Sequence, residues 1–251
     1  MEKNVLLCIE YDGTRYSGWQ RQGNTDKTIE KKISDCIRVM SGCRYEIELH
    51  GSGRTDGGVH AKGQMANFKL DTTMEPDEIK EYLNAYLPED IRIKSAVCVD
   101  DKFHARLSAK GKIYEYTLDV GAKANVFLRK YAWHIDEKLD LELMREGAKL
   151  LVGEKDYRSL SDMKTKKSSV RTITAIDIIE QNPEKSDIIS IRYTGDGFLY
   201  HQVRKLTALL VEIGAGRIKP YKIEEILDKK DRQAFKLLAP AKGLCLEEVF
   251  Y

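Results

Sequence analysis

The chain has 251 residues, of which 42% are hydrophobic and 33% charged, and a formal net charge of +2. That length can bury one large core or two smaller ones, and the composition excludes intrinsic disorder. No apolar run approaches the ~20 residues that cross a bilayer, and MEKNVLLCIEYDG turns acidic within ten residues and lacks a signal-peptide core, so neither a membrane span nor a secretory leader is expected.

Val5 to Glu10 reads as a short buried strand. Thr28 is placed to cap a helix on which Ile29, Ile33, Cys36, Ile37 and Met40 recur at helical spacing, with Gly42 just past its end. Tyr45, Ile47 and Leu49 alternate as in a strand, and Gln64 to Leu70 predicts another. Pro76 suits the first turn of a helix carrying Ile79, Tyr82, Leu83, Tyr86 and Leu87, and Ile91 to Val99 predicts a closing strand. The order is β-α-β-β-α-β.

The order then repeats. Lys112 to Val120 predicts a strand with Tyr114, Tyr116, Leu118 and Val120 on one face. Leu141 to Val152 predicts a helix stopped by Gly153, and Thr172 to Ile179 and Ile188 to Tyr193 predict strands separated by the turn-like Asn182 to Ser186. Val203, Leu206, Leu209, Leu210 and Ile213 mark a helix, a shorter one follows Pro220, and Leu244 to Phe250 predicts the last strand. The expected class is α+β: two ferredoxin-like halves joined into one mixed, mainly antiparallel sheet with a central cleft. The apolar periodicity lapses from Asp101 to Gly111, and the expected division is 1–104 and 105–251.

Five scattered cysteines with no CxxC argue for a reducing cytoplasm and against disulfides or zinc, and five scattered histidines make no HxxxH pair. No metal is expected. Charge is segregated: Lys102 to Tyr114 contains no acid, nor does Met163 to Thr174 with Lys164, Lys166, Lys167 and Arg171. Such stretches are either solvated loops or a phosphate-binding face. The loop Gly51 to Ala61, GSGRTDGGVHA, sets Asp56 beside Arg54 in a segment too glycine-rich for helix or strand. It is either a surface turn or a place where backbone approaches a bulky ligand.

GSGRTDGGVHAKGQMANF (Gly51 to Phe68) resembles the signature of the tRNA pseudouridine synthase A family. The likeness continues through EYDGTRYSGWQRQ (Glu10 to Gln22), LNAYLPEDIRI (Leu83 to Ile93), FHARLSAKGKIYEY (Phe103 to Tyr116), GDGFLYHQVRKL (Gly195 to Leu206) and APAKGLCLEEVFY (Ala239 to Tyr251). Six ordered blocks are far more specific than one motif. The resemblance implies isomerisation of uridine to pseudouridine in tRNA, in the anticodon stem-loop, by a cytoplasmic homodimer needing no cofactor. It implies Asp56 as the catalytic carboxylate, Tyr114 as the tyrosine that stacks on the target base, and Arg204 as the partner of the carboxylate. It implies Arg54 as the residue that enters the RNA, while His60 either orders the loop or touches the RNA. Lys164, Lys166, Lys167 and Arg171 are the further RNA-binding candidates. Glu30 stands where the family usually has Gln, Gln202 where it has Met, Gly57 where Ala is commoner, and Leu238 where Thr precedes Ala-Pro-Ala. A paralogue acting on another RNA uridine, or a non-catalytic RNA-binding module, is the alternative.

Overall fold

The apolar run after the N-terminus becomes the middle strand of a sheet. In the computed structural model, which describes residues 2–165, 167–181 and 187–251, β1 (Glu2–Tyr11) pairs antiparallel with β3 (His60–Asp71) on one side and β4 (Ile91–Val99) on the other, and β2 (His50–Gly51) adds to the far edge of β3. The order β4-β1-β3-β2, with α1 (Ile29–Ser41) and α2 (Pro76–Tyr86) in the connections, is the split βαβ arrangement that the sequence predicts. Ile29, Ile33 and Ile37 of α1 and Ile79 and Leu83 of α2 are buried, each burial contributing about 2 kcal/mol. Gly42 ends α1 in the left-handed region at φ 67°, where a glycine carries no Cβ penalty. Thr28 occupies the N-cap position of α1, but its side chain makes no capping bond. Glu75 and Glu78 close a reciprocal capping box on α2, with Pro76 in the first turn.

The strand expected around Tyr45 to Leu49 is corrected. Only His50–Gly51 joins the ladder; Ile47 and Leu49 are buried, but Tyr45 points to solvent. Alternating apolar residues report burial on one side, and burial needs no backbone partner.

Contacts divide the chain into two units, Met1–Lys110 with Cys245–Tyr251, and Gly111–Leu244. The closing strand β10 (Leu244–Phe250) therefore falls largely in the first unit, although chain order puts it last. It runs parallel to β3, with Cys245 opposite His60 and Leu246 opposite Ala61. A Cβ on Gly63 would lie 2.3 Å from the Glu247 carbonyl oxygen, so only glycine admits the strand there.

In the second unit β5 (Gly111–Asp119) pairs antiparallel with β9 (Ile188–Gly195), β9 with β8 (Val170–Glu180), and β8 with β7 (Gly153–Asp156). The short β6 (Trp133–His134) runs parallel to the end of β5. Neither β6 nor β7 is marked by periodicity, since each is too short to show one. α3 (Leu141–Leu151), capped by the Asp140 carboxylate, packs on α4 (Gln202–Gly214), and α5 (Lys222–Asp228) follows. The turn expected at Asn182 to Ser186 lies outside the described residues. Both units are α+β, with sheets mixed but mainly antiparallel.

Candidate functional site

In the first unit the glycine loop is held from three directions. From β1, the Tyr11 hydroxyl meets the Thr55 hydroxyl at 2.8 Å, in surroundings whose burial pushes the phenol far above its ordinary range and keeps it neutral. From the segment after β1, the Trp19 amide donates to the Thr55 carbonyl at 3.0 Å, and the Gly58 amide donates to the Tyr16 carbonyl at 3.3 Å. From β3, buried Gln64 accepts from the Ser52 hydroxyl at 2.7 Å and donates to the Gly53 carbonyl at 2.9 Å. Gly18, at φ 99°, lies so close that an added Cβ would stand 2.6 Å from the Thr55 carbonyl oxygen. The Val59 amide closes a turn onto the Asp56 carbonyl at 3.1 Å. Asp56 is thus half-buried on a backbone whose neighbours on both sides are fixed.

Arg54, two residues away, is exposed, and its Nε donates to Gln20 Oε1 at 2.8 Å. Gln20 in turn donates to Glu30 Oε2 at 2.7 Å, and the same oxygen accepts from the Arg21 amide at 2.6 Å. The departure at Glu30 therefore has a local purpose: a carboxylate in the first turn of α1 suits the helix dipole and orients the glutamine that holds Arg54. His60 is buried at the start of β3, where Nδ1 faces the Gly13 amide at 3.1 Å and Asp12 at 3.2 Å. It orders the segments around the loop from inside.

In the second unit Tyr114 lies on β5, opposite Tyr193 of β9, and only 7% exposed. Phe198 meets its ring edge-on, with centroids 5.4 Å apart and planes at 87°, a favourable aromatic geometry. Tyr116, two residues on, is fully buried and donates to the Pro240 carbonyl at 2.7 Å; it is a core residue. Arg204 is half-buried in the first turn of α4, and its Nε donates to the Ala239 carbonyl at 2.8 Å. The Ala239 amide returns a bond to the Arg204 carbonyl at 3.3 Å.

The neighbouring Lys205 is a residue that sequence reasoning misses. It is buried, and its Nζ lies 2.7 Å from Asp162 Oδ1, donating also to the carbonyls of Phe235, Arg232 and Ser161. The other Asp162 oxygen meets His201 Nδ1 at 2.7 Å. Burial raises the Asp162 carboxyl, but hydrogen bonds from Lys205 and His201 outweigh it and leave the group below the ordinary carboxylate range. No signal marks this set, because a lysine in a helix ordinarily faces water.

Asp162 also opens the basic segment. Its amide donates to the Tyr200 carbonyl, Arg158 donates to the carbonyls of Thr165 and Lys167, and Ser169 bonds to Asp156 at the far end. Lys164 and Lys167 are exposed on a loop held at entry, middle and exit. Lys166 lies outside the described residues. Arg171 is half-exposed and donates to the carbonyls of Ser168 and Val170 at the base of the loop. No helix among the described residues is long and apolar enough to cross a membrane.

The first unit thus carries a carboxylate on a pinned glycine loop, and the second carries a tyrosine packed against Phe198 and an arginine anchored by a backbone carbonyl. The profile of the family described as tRNA pseudouridine synthase matches residues 7–107 and 148–251, and the chain belongs to that family of isomerases. It is 43% identical over 247 residues to tRNA pseudouridine synthase A 2 of Bacillus anthracis, covering 98% of each chain. It is 44% identical over 249 residues to tRNA pseudouridine synthase A of Bacillus sp. (strain KSM-64), covering 99% of each. Identity to tRNA pseudouridine synthase A 2 of Clostridium tetani is 42% over 253 residues, with both chains covered in full.

Proposed function

We propose that the protein isomerises uridine to pseudouridine in tRNA, at uridines of the anticodon stem-loop, acting in the cytoplasm as a homodimer. The observation that carries this reading is Asp56, a carboxylate held half-buried in a glycine loop pinned by Tyr11, Trp19 and Gln64. The reaction breaks the N1–C1′ bond, turns the uracil, forms the C5–C1′ bond and moves the C5 proton away. It needs a carboxylate at the sugar or base, a cation to keep it ionised, an aromatic to hold the base, and little water, so that the freed uracil does not escape.

Asp56 supplies the carboxylate, either attacking the sugar or uracil or taking the C2′ proton. Arg204 supplies the cation, its guanidinium oriented by Ala239. Tyr114 stacks on the base, with Phe198 as wall, and its hydroxyl assists removal of the C5 proton. Exposed Arg54, braced by Gln20, enters the RNA stack and helps expel the uridine. Lys164, Lys166, Lys167 and Arg171 meet backbone phosphates.

Asp56→Asn removes a charge and almost no volume. Pseudouridine formation, followed as tritium released from C5-labelled tRNA, should fall to background while tRNA affinity stays within about threefold. Measurable turnover by the purified variant would remove Asp56 from the chemistry. A wild type that binds tRNA but releases no tritium would overturn the reading in favour of the alternatives, a paralogue for another RNA uridine or a non-catalytic RNA-binding module.

A further inference from the structure

Val120–Ile135 forms a third stretch without acid, and it contains Lys123, Arg129 and Lys130. Within it Phe127 is 86% exposed, Val126 66% and Tyr131 43%. Single exposed apolar side chains are ordinary; three within six residues on a fixed frame call for a partner.

The frame is well made. Asp119, buried at the end of β5, accepts from the Gly121 amide at 3.2 Å and the Asn125 amide at 2.7 Å. Asn125 accepts from the Phe127 amide at 2.9 Å, and the Leu128 carbonyl accepts from the amides of Tyr131 and Ala132. Arg129 Nη1 donates to the Val126 carbonyl at 2.7 Å, and Lys242 reaches the Arg129 carbonyl at 3.0 Å. A loop already ordered in this way gives up little entropy on binding.

We propose that this loop is a second RNA contact, where an unpaired base stacks on Phe127 while Lys123 and Arg129 meet the flanking phosphates. The inference rests on the reading of the protein as an enzyme of tRNA. A nucleotide joins a flat apolar face to an anion, the two properties that complement this surface. A symmetric contact between two copies of the loop would instead set its cations face to face, which disfavours pairing of the loop with itself. The loop leaves β5 at Val120, six residues beyond Tyr114, or about 20 Å at ~3.3 Å per residue. Because the loop is rooted at that end of the strand, an RNA whose target uridine stacks on Tyr114 would meet it with other nucleotides, so the contact selects the RNA rather than the reaction.

The test uses the full chain carrying Phe127→Ala, with Phe127→Trp as the rescue variant. Affinity for tRNA, single-turnover rate at saturating tRNA, and mass in solution are measured for each. Affinity should fall about tenfold in the alanine variant and recover with tryptophan. The saturated rate should stay within about twofold and the mass should not change. Lys123→Ala combined with Arg129→Ala should make the slope of log affinity against log salt shallower by roughly 1.5 to 2. Unaltered affinity in Phe127→Ala overturns the proposal, and so does lost affinity accompanied by a changed mass, which assigns the loop to a contact between protein chains. A wild-type protein that does not bind tRNA overturns this inference and the functional reading together. Wild-type conversion of tRNA with full affinity in Phe127→Ala defeats this inference alone.

Discussion

Arg204 shows how one backbone atom can fix the direction of a charged side chain. With Nε bonded to the Ala239 carbonyl, the plane of the guanidinium is set by the protein before any substrate arrives. Arg204→Lys keeps the charge but loses the rigid planar fork in which one N–H fixes the direction of the others. Its kcat should fall by about 100-fold with tRNA affinity within about threefold, and single-turnover kinetics at saturating tRNA would separate the two; an unchanged rate would show that charge alone is enough. Tyr114 separates in the same way. Tyr114→Phe keeps the ring that packs against Phe198 and loses only the hydroxyl, so binding should persist while turnover drops at least tenfold. Wild-type turnover in that variant would reduce Tyr114 to a platform.

At the scale of elements, the start of α4 is a junction. His201 sits there at φ 63°, a left-handed conformation unusual for a residue with a side chain, and its ring and Lys205 share the Asp162 carboxylate. Because that carboxyl is held below its ordinary value, the unfolded chain takes up the proton more readily. The associated stability is present above the unfolded value, near pH 4, and is lost as pH falls through the lower folded value. Asp162→Asn should therefore flatten the acid side of the stability curve and cost about 2 kcal/mol at pH 7, because Lys205 keeps a buried charge with its carboxylate gone. Chemical denaturation between pH 3 and 7 would measure both; parallel curves for variant and wild type would show that the pair is not coupled to folding. The helices α1 and α2 were legible in the sequence, because Ile29, Ile33, Ile37, Ile79 and Leu83 repeat at the spacing that one buried face requires. The glycine loop was legible from residue type. Lys205, Asp162 and His201 were not, because their relation joins positions far apart in the chain, and β2 was shorter than its pattern because Ile47 and Leu49 are buried without a ladder.

Across the whole molecule, a net charge of +2 hides the segregation of acids and bases along the chain. Acids collect from Glu75 to Asp90, around α2 and including the Asp90 pair with Arg15, whereas Met163 to Thr174 carries four basic residues and no acid. Replacing Lys164, Lys166 and Lys167 together by alanine should weaken tRNA binding and make its salt slope shallower by roughly 2 to 3, with chemistry at saturation little altered. A slope equal to that of the wild type would make the three lysines a solvated loop.

The position of β10 also bears on how the protein comes into being. Cys245 and Leu246 lie along His60 and Ala61, just beyond the loop that carries Asp56, so the start of the β3 edge, which β2 does not cover, gains its partner only after the whole of Gly111–Leu244 has been made. At ordinary rates of translation that interval is on the order of 10 s. Until then the first unit emerges with a strand edge open beside its acidic residue, where it can attract chaperones or misassemble. A nascent chain therefore completes the surroundings of its carboxylate late, and a ribosome stalled in the second unit leaves behind a fragment in which that edge has no strand to close it.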